Sequence, residues 1–171
     1  MLILGIDPGL RITGYGLVAA AGPRSRMGVP GRLALREAGV LRMKARGELH
    51  ERLLELYNSL AALLDDLQPD HVAVEQLFAH YRHPRTAILM GHARGTILLA
   101  AAQRGLPVTS LASTMVKRTV TGNGHASKPQ VQRTVAMLCH LSKPPEPPDV
   151  ADAIAIAWTL ASRCGRSISI K

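Results

Sequence analysis

The stretch Leu2-Ile3-Leu4-Gly5-Ile6-Asp7-Pro8-Gly9 decides the fold class. Leu2 to Ile6 is unbroken by any polar side chain. A strand with one solvated face alternates polar and apolar positions, so this run reads as a strand buried on both faces. Asp7-Pro8-Gly9 closes it as a turn. Ile12 to Ala20 is a second strand, folding back on the first as a hairpin. Gly22 to Gly31 is a Pro/Gly/Arg-rich loop, and Leu33 to Met43 makes a third strand. The period then changes: Leu49, Leu53, Leu56, Tyr57, Leu60, Leu64 and Leu67 share one helical face. Gln68-Pro69-Asp70 stops that helix. His71 to Glu75 is a short strand, Pro84 to Arg104 a long helix ended by Gly105, and Leu106 to Ser110 a last strand. Ser110 or Ser113 is placed to cap a helix running to Thr121. Ser127-Lys128-Pro129-Gln130 has capping-box spacing with Pro in the first turn, so a further helix starts there. After the Pro-rich loop Lys143–Pro148, Asp149 to Arg163 is a final apolar helix. This order predicts an α/β fold, a mixed five-stranded sheet with helices on both faces.

Composition narrows the function. The 171 residues fit one domain, expected over 1–171, and 47% apolar residues exclude a disordered chain. No apolar run approaches the roughly 20 residues of a membrane span. The start of the chain lacks signal-peptide features, and two cysteines, Cys139 and Cys164, are too few for a disulfide scaffold. A cytoplasmic protein is the expectation. The net charge of +9 is uneven: residues 76–145 carry nine basic side chains and no carboxylate, whereas 48–75 carry seven acids and one base. A seventy-residue acid-free stretch points to a polyanion, nucleic acid above all.

Eight of the twelve carboxylates lie on the exposed side of the first helix, in loops or on an exposed strand. Four do not. Asp7 ends the strand Leu2–Ile6, Glu75 ends Val72-Ala73-Val74, and Asp149 and Asp152 open the last helix three residues apart, on one face. Taken singly, Asp7 could be a turn residue, Asp149 an N-cap and Asp152 a first-turn acid favoured by the helix dipole. As a set they stand where α/β sheets place ligands, at the carboxyl ends of strands. Four converging negative charges are costly unless cations compensate them. Hard oxygen ligands without a His or Cys cluster favour Mg²⁺ or Mn²⁺. An all-carboxylate two-metal site in a basic chain implies phosphodiester chemistry.

Five ordered blocks stand out: Gly5-Ile6-Asp7-Pro8-Gly9 with Thr13-Gly14-Tyr15-Gly16, Val74-Glu75-Gln76 with Phe78, Gly91-His92-Ala93-Arg94-Gly95, Val116-Lys117-Arg118-Thr119-Val120 with Gly122, Gly124, Lys128 and Gln130-Val131, and Asp149 to Ala157. In these blocks the chain resembles the RuvC family of bacterial Holliday-junction resolvases. The resemblance spans essentially the whole chain. It implies an RNase H-like fold and a homodimer that cuts two opposed strands of a four-way DNA junction during recombination and repair, with two Mg²⁺ per subunit and Mn²⁺ as a substitute. It places the catalytic, metal-binding acids at Asp7, Glu75, Asp149 and Asp152, functional lysines at Lys117 and Lys128, and a base-stacking aromatic at Phe78. It also implies work alongside the RuvA–RuvB branch-migration complex.

Phe78 and Tyr81 follow Glu75 within the basic stretch; Phe78 could stack on an unpaired base or belong to the core. Arg82 and Arg85 flank it as expected phosphate contacts. Ala87, Gly91 and Gly95 recur every four residues, a small-residue stripe that admits the sheet or the same helix of a second subunit. Three rivals are weaker. An actin-like ATPase shares the Gly5–Gly9 loop but needs a second such domain. A YqgF-like nuclease acting on RNA leaves the Asp149/Asp152 pair and the lysine blocks unaccounted for. A non-catalytic helix-turn-helix module around Gly122-Asn123-Gly124 leaves all four acids unexplained.

Overall fold

The protein is described here by a computed structural model covering residues 1–20, 33–44, 47–77 and 84–167. In chain order the elements are β1 (Leu2–Asp7), β2 (Ile12–Ala20), β3 (Leu33–Arg42), α1 (Leu49–Leu67), β4 (His71–Glu75), α2 (Pro84–Ala102), β5 (Val108–Leu111), α3 (Ser113–Thr121), α4 (Lys128–Leu138) and α5 (Pro148–Ser167). The strands form one sheet in the order β3-β2-β1-β4-β5. β1–β2 and β2–β3 pair antiparallel, β1–β4 and β4–β5 parallel. This is the mixed five-stranded sheet the sequence predicts.

Alternation along the central strands sorts the core into two layers. Leu4, Ile6, Val72 and Val74 face α1 and α2, meeting Leu56, Leu60 and Leu64 of the first and Ala93, Ile97, Ala100 and Ala101 of the second. Ile3 and Ala73 face the other side, against α3, α4 and α5. Both faces are covered, which is why Leu2–Ile6 carries no polar position. Positions 5 and 7 share the face of Ile3, and position 75 that of Ala73. Asp7 and Glu75 therefore stand on the α5 side of the sheet, at the ends of neighbouring parallel strands.

Local signals account for most boundaries. The Ser127/Gln130 capping box forms, with the Ser127 N–H donating to Gln130 Oε1 at 2.8 Å. Gly105 follows α2 with φ +65°, a left-handed conformation that glycine adopts without steric strain. Some expectations need correction. Neither Ser110 nor Ser113 caps α3: the N-cap is Ala112, without a side-chain hydrogen bond. β5 begins at Val108 rather than Leu106, since Pro107 has no N–H to give a ladder. Asp149 lies inside the first turn of α5, after Pro148, rather than at its N-cap. Gly91 and Gly95 are exposed with nothing beside their Cα atoms, so the small-residue stripe does not pack on the sheet.

Candidate active site: a four-carboxylate pocket

The sheet meets α5 at unusually short range, and glycines permit it. A Cβ on Gly5 would lie 2.2 Å from the Ala153 carbonyl oxygen and 2.5 Å from the Ala157 nitrogen. A Cβ on Gly14 would lie 2.1 Å from the Asp149 carbonyl oxygen. These are backbone atoms, so any side chain there would push the helix off the sheet. Gly14 is also the register partner of Asp7. The hairpin thus seats the start of α5 directly beside the end of β1. The turn after Asp7 is pinned as well. Thr13 is fully buried; its hydroxyl donates to the Gly9 carbonyl at 2.6 Å and accepts the Gly9 N–H at 3.2 Å.

Asp7, Glu75, Asp149 and Asp152 consequently line one pocket of about 270 Å³, with Lys117, Lys128 and Ser113. Val116, Val131, Met90 and Ile156 form its apolar wall. Asp149, Asp152 and Ile156 follow helical spacing along one face of α5. Lys128 Nζ lies 3.3 Å from Asp152 Oδ2.

The electrostatics are those of crowded acids. Burial, then the charges of Asp152, Glu75 and Asp149, push the Asp7 carboxyl up to about 8, against a smaller opposing pull from Lys128. Burial foremost also raises Glu75, with Asp152 adding to it; the Ser113 hydroxyl, Lys117 and Lys128 work the other way. Burial disfavours the Lys128 ammonium, but Asp152, Asp7 and Asp149 outweigh it and raise its pKa. The pocket is thus short of positive charge. Its donors are hard oxygens with no Cys or His among the lining residues, a set suited to Mg²⁺ or Mn²⁺. Among the described residues, no three His, Cys, Asp or Glu side chains are gathered tightly enough to hold one ion as they stand. Lys128, paired with Asp152, supplies part of the positive charge that the four acids call for.

A family model described as crossover junction endodeoxyribonuclease RuvC matches residues 3–160. The chain belongs to the RuvC family. A RuvC of Rhodopirellula baltica is 49% identical over 98% of this chain and 86% of its own. A RuvC of Thermosipho melanesiensis is 41% identical over 94% of this chain and 97% of its own. The structure of Thermus thermophilus RuvC in complex with a Holliday junction substrate superposes with a TM-score of 0.85, at 32% identity, covering 98% of this chain and 96% of that one. The yeast mitochondrial resolvase Ydc2 shares the fold alone, with a TM-score of 0.62 at 14% identity. The RNase H-like architecture implied by the resemblance is thereby shown.

Of the residues predicted from sequence, this RuvC-family chain brings six into one pocket: the four acids, Lys117 and Lys128. Arg85 is exposed in the first turn of α2 and does not line it. Phe78 and Arg82, like Tyr81, lie outside the described residues. Sequence reasoning missed Ser113 as a neighbour of Glu75, the seating role of Gly5 and Gly14, and the Thr13 pin. The glycines had a readable signal in the small residues at 5, 14 and 16 and the alanine-rich α5: Gly5 meets Ala153 and Ala157, Gly14 meets Asp149, and Gly16 meets Ile154.

Proposed function

We propose that this chain is a structure-selective endonuclease that resolves four-way DNA junctions by metal-dependent hydrolysis of phosphodiesters on two opposed strands. Convergence of Asp7, Glu75, Asp149 and Asp152 in one pocket carries the reading. Family membership and the junction-bound relative support the substrate. Two Mg²⁺ ions held by the four acids, with Mn²⁺ as a substitute, would supply an activated water and stabilise the leaving 3′-oxygen. The chain's own side chains do the rest. Asp7 is held at the floor by burial and by the pinned turn. Lys117 and Lys128 offset phosphate charge at the pocket mouth, and Lys128 exchanges its contact with Asp152 for the DNA backbone. Val116, Val131 and Ile156 keep one wall dry, which strengthens every charge interaction inside.

The working unit in this proposal is a homodimer, because two opposed cuts need two sites. Ile88 and Leu99 are 62% and 55% exposed on α2, on the same side as Gly91 and Gly95. An apolar, small-residue helix face of this kind suits the same helix of a second copy. Phe78 is assigned to stacking at the crossover, Arg82 and Arg85 to phosphates. One nuclease domain over 1–171, a cytoplasmic location and cooperation with RuvA–RuvB complete the reading. No described helix is long and apolar enough to cross a membrane. RNA cleavage and an actin-like ATPase are not favoured. Incubation with Mg²⁺ and a synthetic four-way junction, a linear duplex or an RNA–DNA hybrid tests the proposal. Paired nicks in the junction alone are expected; cutting of the hybrid with the junction left intact overturns it.

A further inference from the structure

Glu75 stands where the sheet runs out of support. The β1–β4 ladder ends at Ile6 and Val74. Beyond it, the β4 backbone is paired only with β5, through Glu75 opposite Leu111 and the Gln76 N–H donating to the Leu111 carbonyl at 2.8 Å. β5 is a four-residue strand at the sheet edge. Short edge strands are weak anchors.

A side chain from α2 closes this gap. Arg94 Nε donates to the Glu75 carbonyl oxygen at 3.2 Å, and Arg94 Nη2 donates to Ser110 Oγ at 2.5 Å. One guanidinium thus ties β4 to β5 at the level of the catalytic pocket. Its helix is anchored by Ala93 and Ile97, both fully buried, and Met90, one turn earlier, lines the pocket itself. Arg94 forms no ion pair with a described carboxylate. Its charge is available to strengthen these two bonds, since charge-assisted hydrogen bonds are about twice as strong as neutral ones.

We propose that Arg94 is a positioning residue for the nuclease: by bridging the Glu75 carbonyl and the Ser110 hydroxyl it fixes the end of β4, and so the place of the Glu75 carboxylate relative to Asp7, Asp149 and Asp152. This rests on the nuclease reading above. Lysine cannot replace it fully, because a single ammonium lacks the planar fork that reaches two acceptors in fixed directions.

The test compares wild type, Arg94→Ala, Arg94→Lys and Ser110→Ala. Single-turnover cleavage of a four-way junction at saturating protein is followed across a Mg²⁺ titration, beside junction affinity at several salt concentrations and urea unfolding. Outer-shell partners of metal ligands are worth about 10–100-fold in activity or metal affinity, and Arg94→Ala is expected to lose that much, with a higher half-saturating Mg²⁺. Junction affinity should stay within about twofold with an unchanged salt slope, as no phosphate contact is removed. Arg94→Lys should recover part of the rate, and Ser110→Ala should fall only slightly below wild type. Wild-type rates for Arg94→Ala at every Mg²⁺ concentration overturn the inference. So does weakened binding with a shallower salt slope and normal cleavage at saturation, which would make Arg94 a phosphate contact. Should Arg94→Ala fail to fold, Arg94→Lys decides: a full rate with wild-type Mg²⁺ dependence overturns the inference. A wild-type protein that cuts no junction overturns the nuclease reading instead.

Discussion

Replacing Asp7 by Asn should destroy cleavage and yet stabilise the metal-free protein at pH 8. The folded state holds the Asp7 proton up to about pH 8, while a solvated Asp releases it near 3.8. Between those values the folded chain binds one proton more than the unfolded chain, so stability falls as pH rises. The Asp7 contribution is fully present below about pH 4 and lost by about pH 8. Each pKa unit is worth about 1.4 kcal/mol, so the whole interval corresponds to about 5–6 kcal/mol. Burial is the largest cause of the shift, and repulsion from Asp152, Glu75 and Asp149 adds a part that side-chain rotation would relieve and that Lys128 already offsets in some measure. We therefore expect about 2–3 kcal/mol at pH 8, or about 5–10 °C in Tm for a chain of this size. Thermal unfolding in EDTA at pH 5, 6, 7 and 8, for wild type and Asp7→Asn, measures it. The difference between the two proteins should grow with pH in favour of Asn, and saturating Mg²⁺ should reverse it by stabilising wild type alone. A difference that is flat, or that shrinks as pH rises, refutes the reasoning.

Three further outcomes follow from the geometry. Gly14→Ala places a methyl 2.1 Å from the Asp149 carbonyl oxygen; overpacking of this kind costs about 1–3 kcal/mol, and cleavage should fall further than that loss of stability explains, measured by urea unfolding beside single-turnover assays. Light scattering should give twice 18.3 kDa at micromolar concentration, and Ile88→Glu, at an exposed apolar position, should shift the protein to the monomer without unfolding it. In salt-dependent binding, Arg82→Ala and Arg85→Ala should each reduce the log–log slope by about 0.9. Phe78→Ala should leave that slope alone and slow cleavage, because stacking releases no counterion. Lys117→Ala and Lys128→Ala should lower both binding and rate.

The fold was legible because its central strands are buried on both sides. Leu2–Ile6 and Val72–Val74 have no polar positions to confuse with a helix or a loop, and the Leu49–Leu67 face repeats at the helical period. Asp7 and Glu75 stood out for the same reason, since a carboxylate ending a buried strand has few structural uses; Asp149 and Asp152, in the first turn of α5, stood out only as members of the set. Side-chain destinations were harder. Ser113 resembles a helix cap in sequence, but the chain turns from β5 into α3 within one residue, and Ala112 takes the cap position. Arg94 looks like any basic residue on a helix; only the sheet topology shows that its fork meets the ends of β4 and β5. Thr13 resembles an ordinary strand residue until its partner four positions earlier proves to be the turn after Asp7. Such contacts depend on where elements meet, and periodicity carries no record of it.

The most direct measurement is single-turnover cleavage of a synthetic four-way junction by Asp152→Asn in Mg²⁺, with junction affinity determined in parallel. Asp152 sits on α5, contributed to the pocket by a different element from Asp7 and Glu75. If four convergent carboxylates hold the catalytic cations, losing this one should remove several kcal/mol of transition-state stabilisation, a rate loss of about a thousandfold or more. Junction affinity should be retained or slightly improved, since a negative charge facing phosphate has been removed. Cleavage within tenfold of wild type at the same affinity would contradict the account.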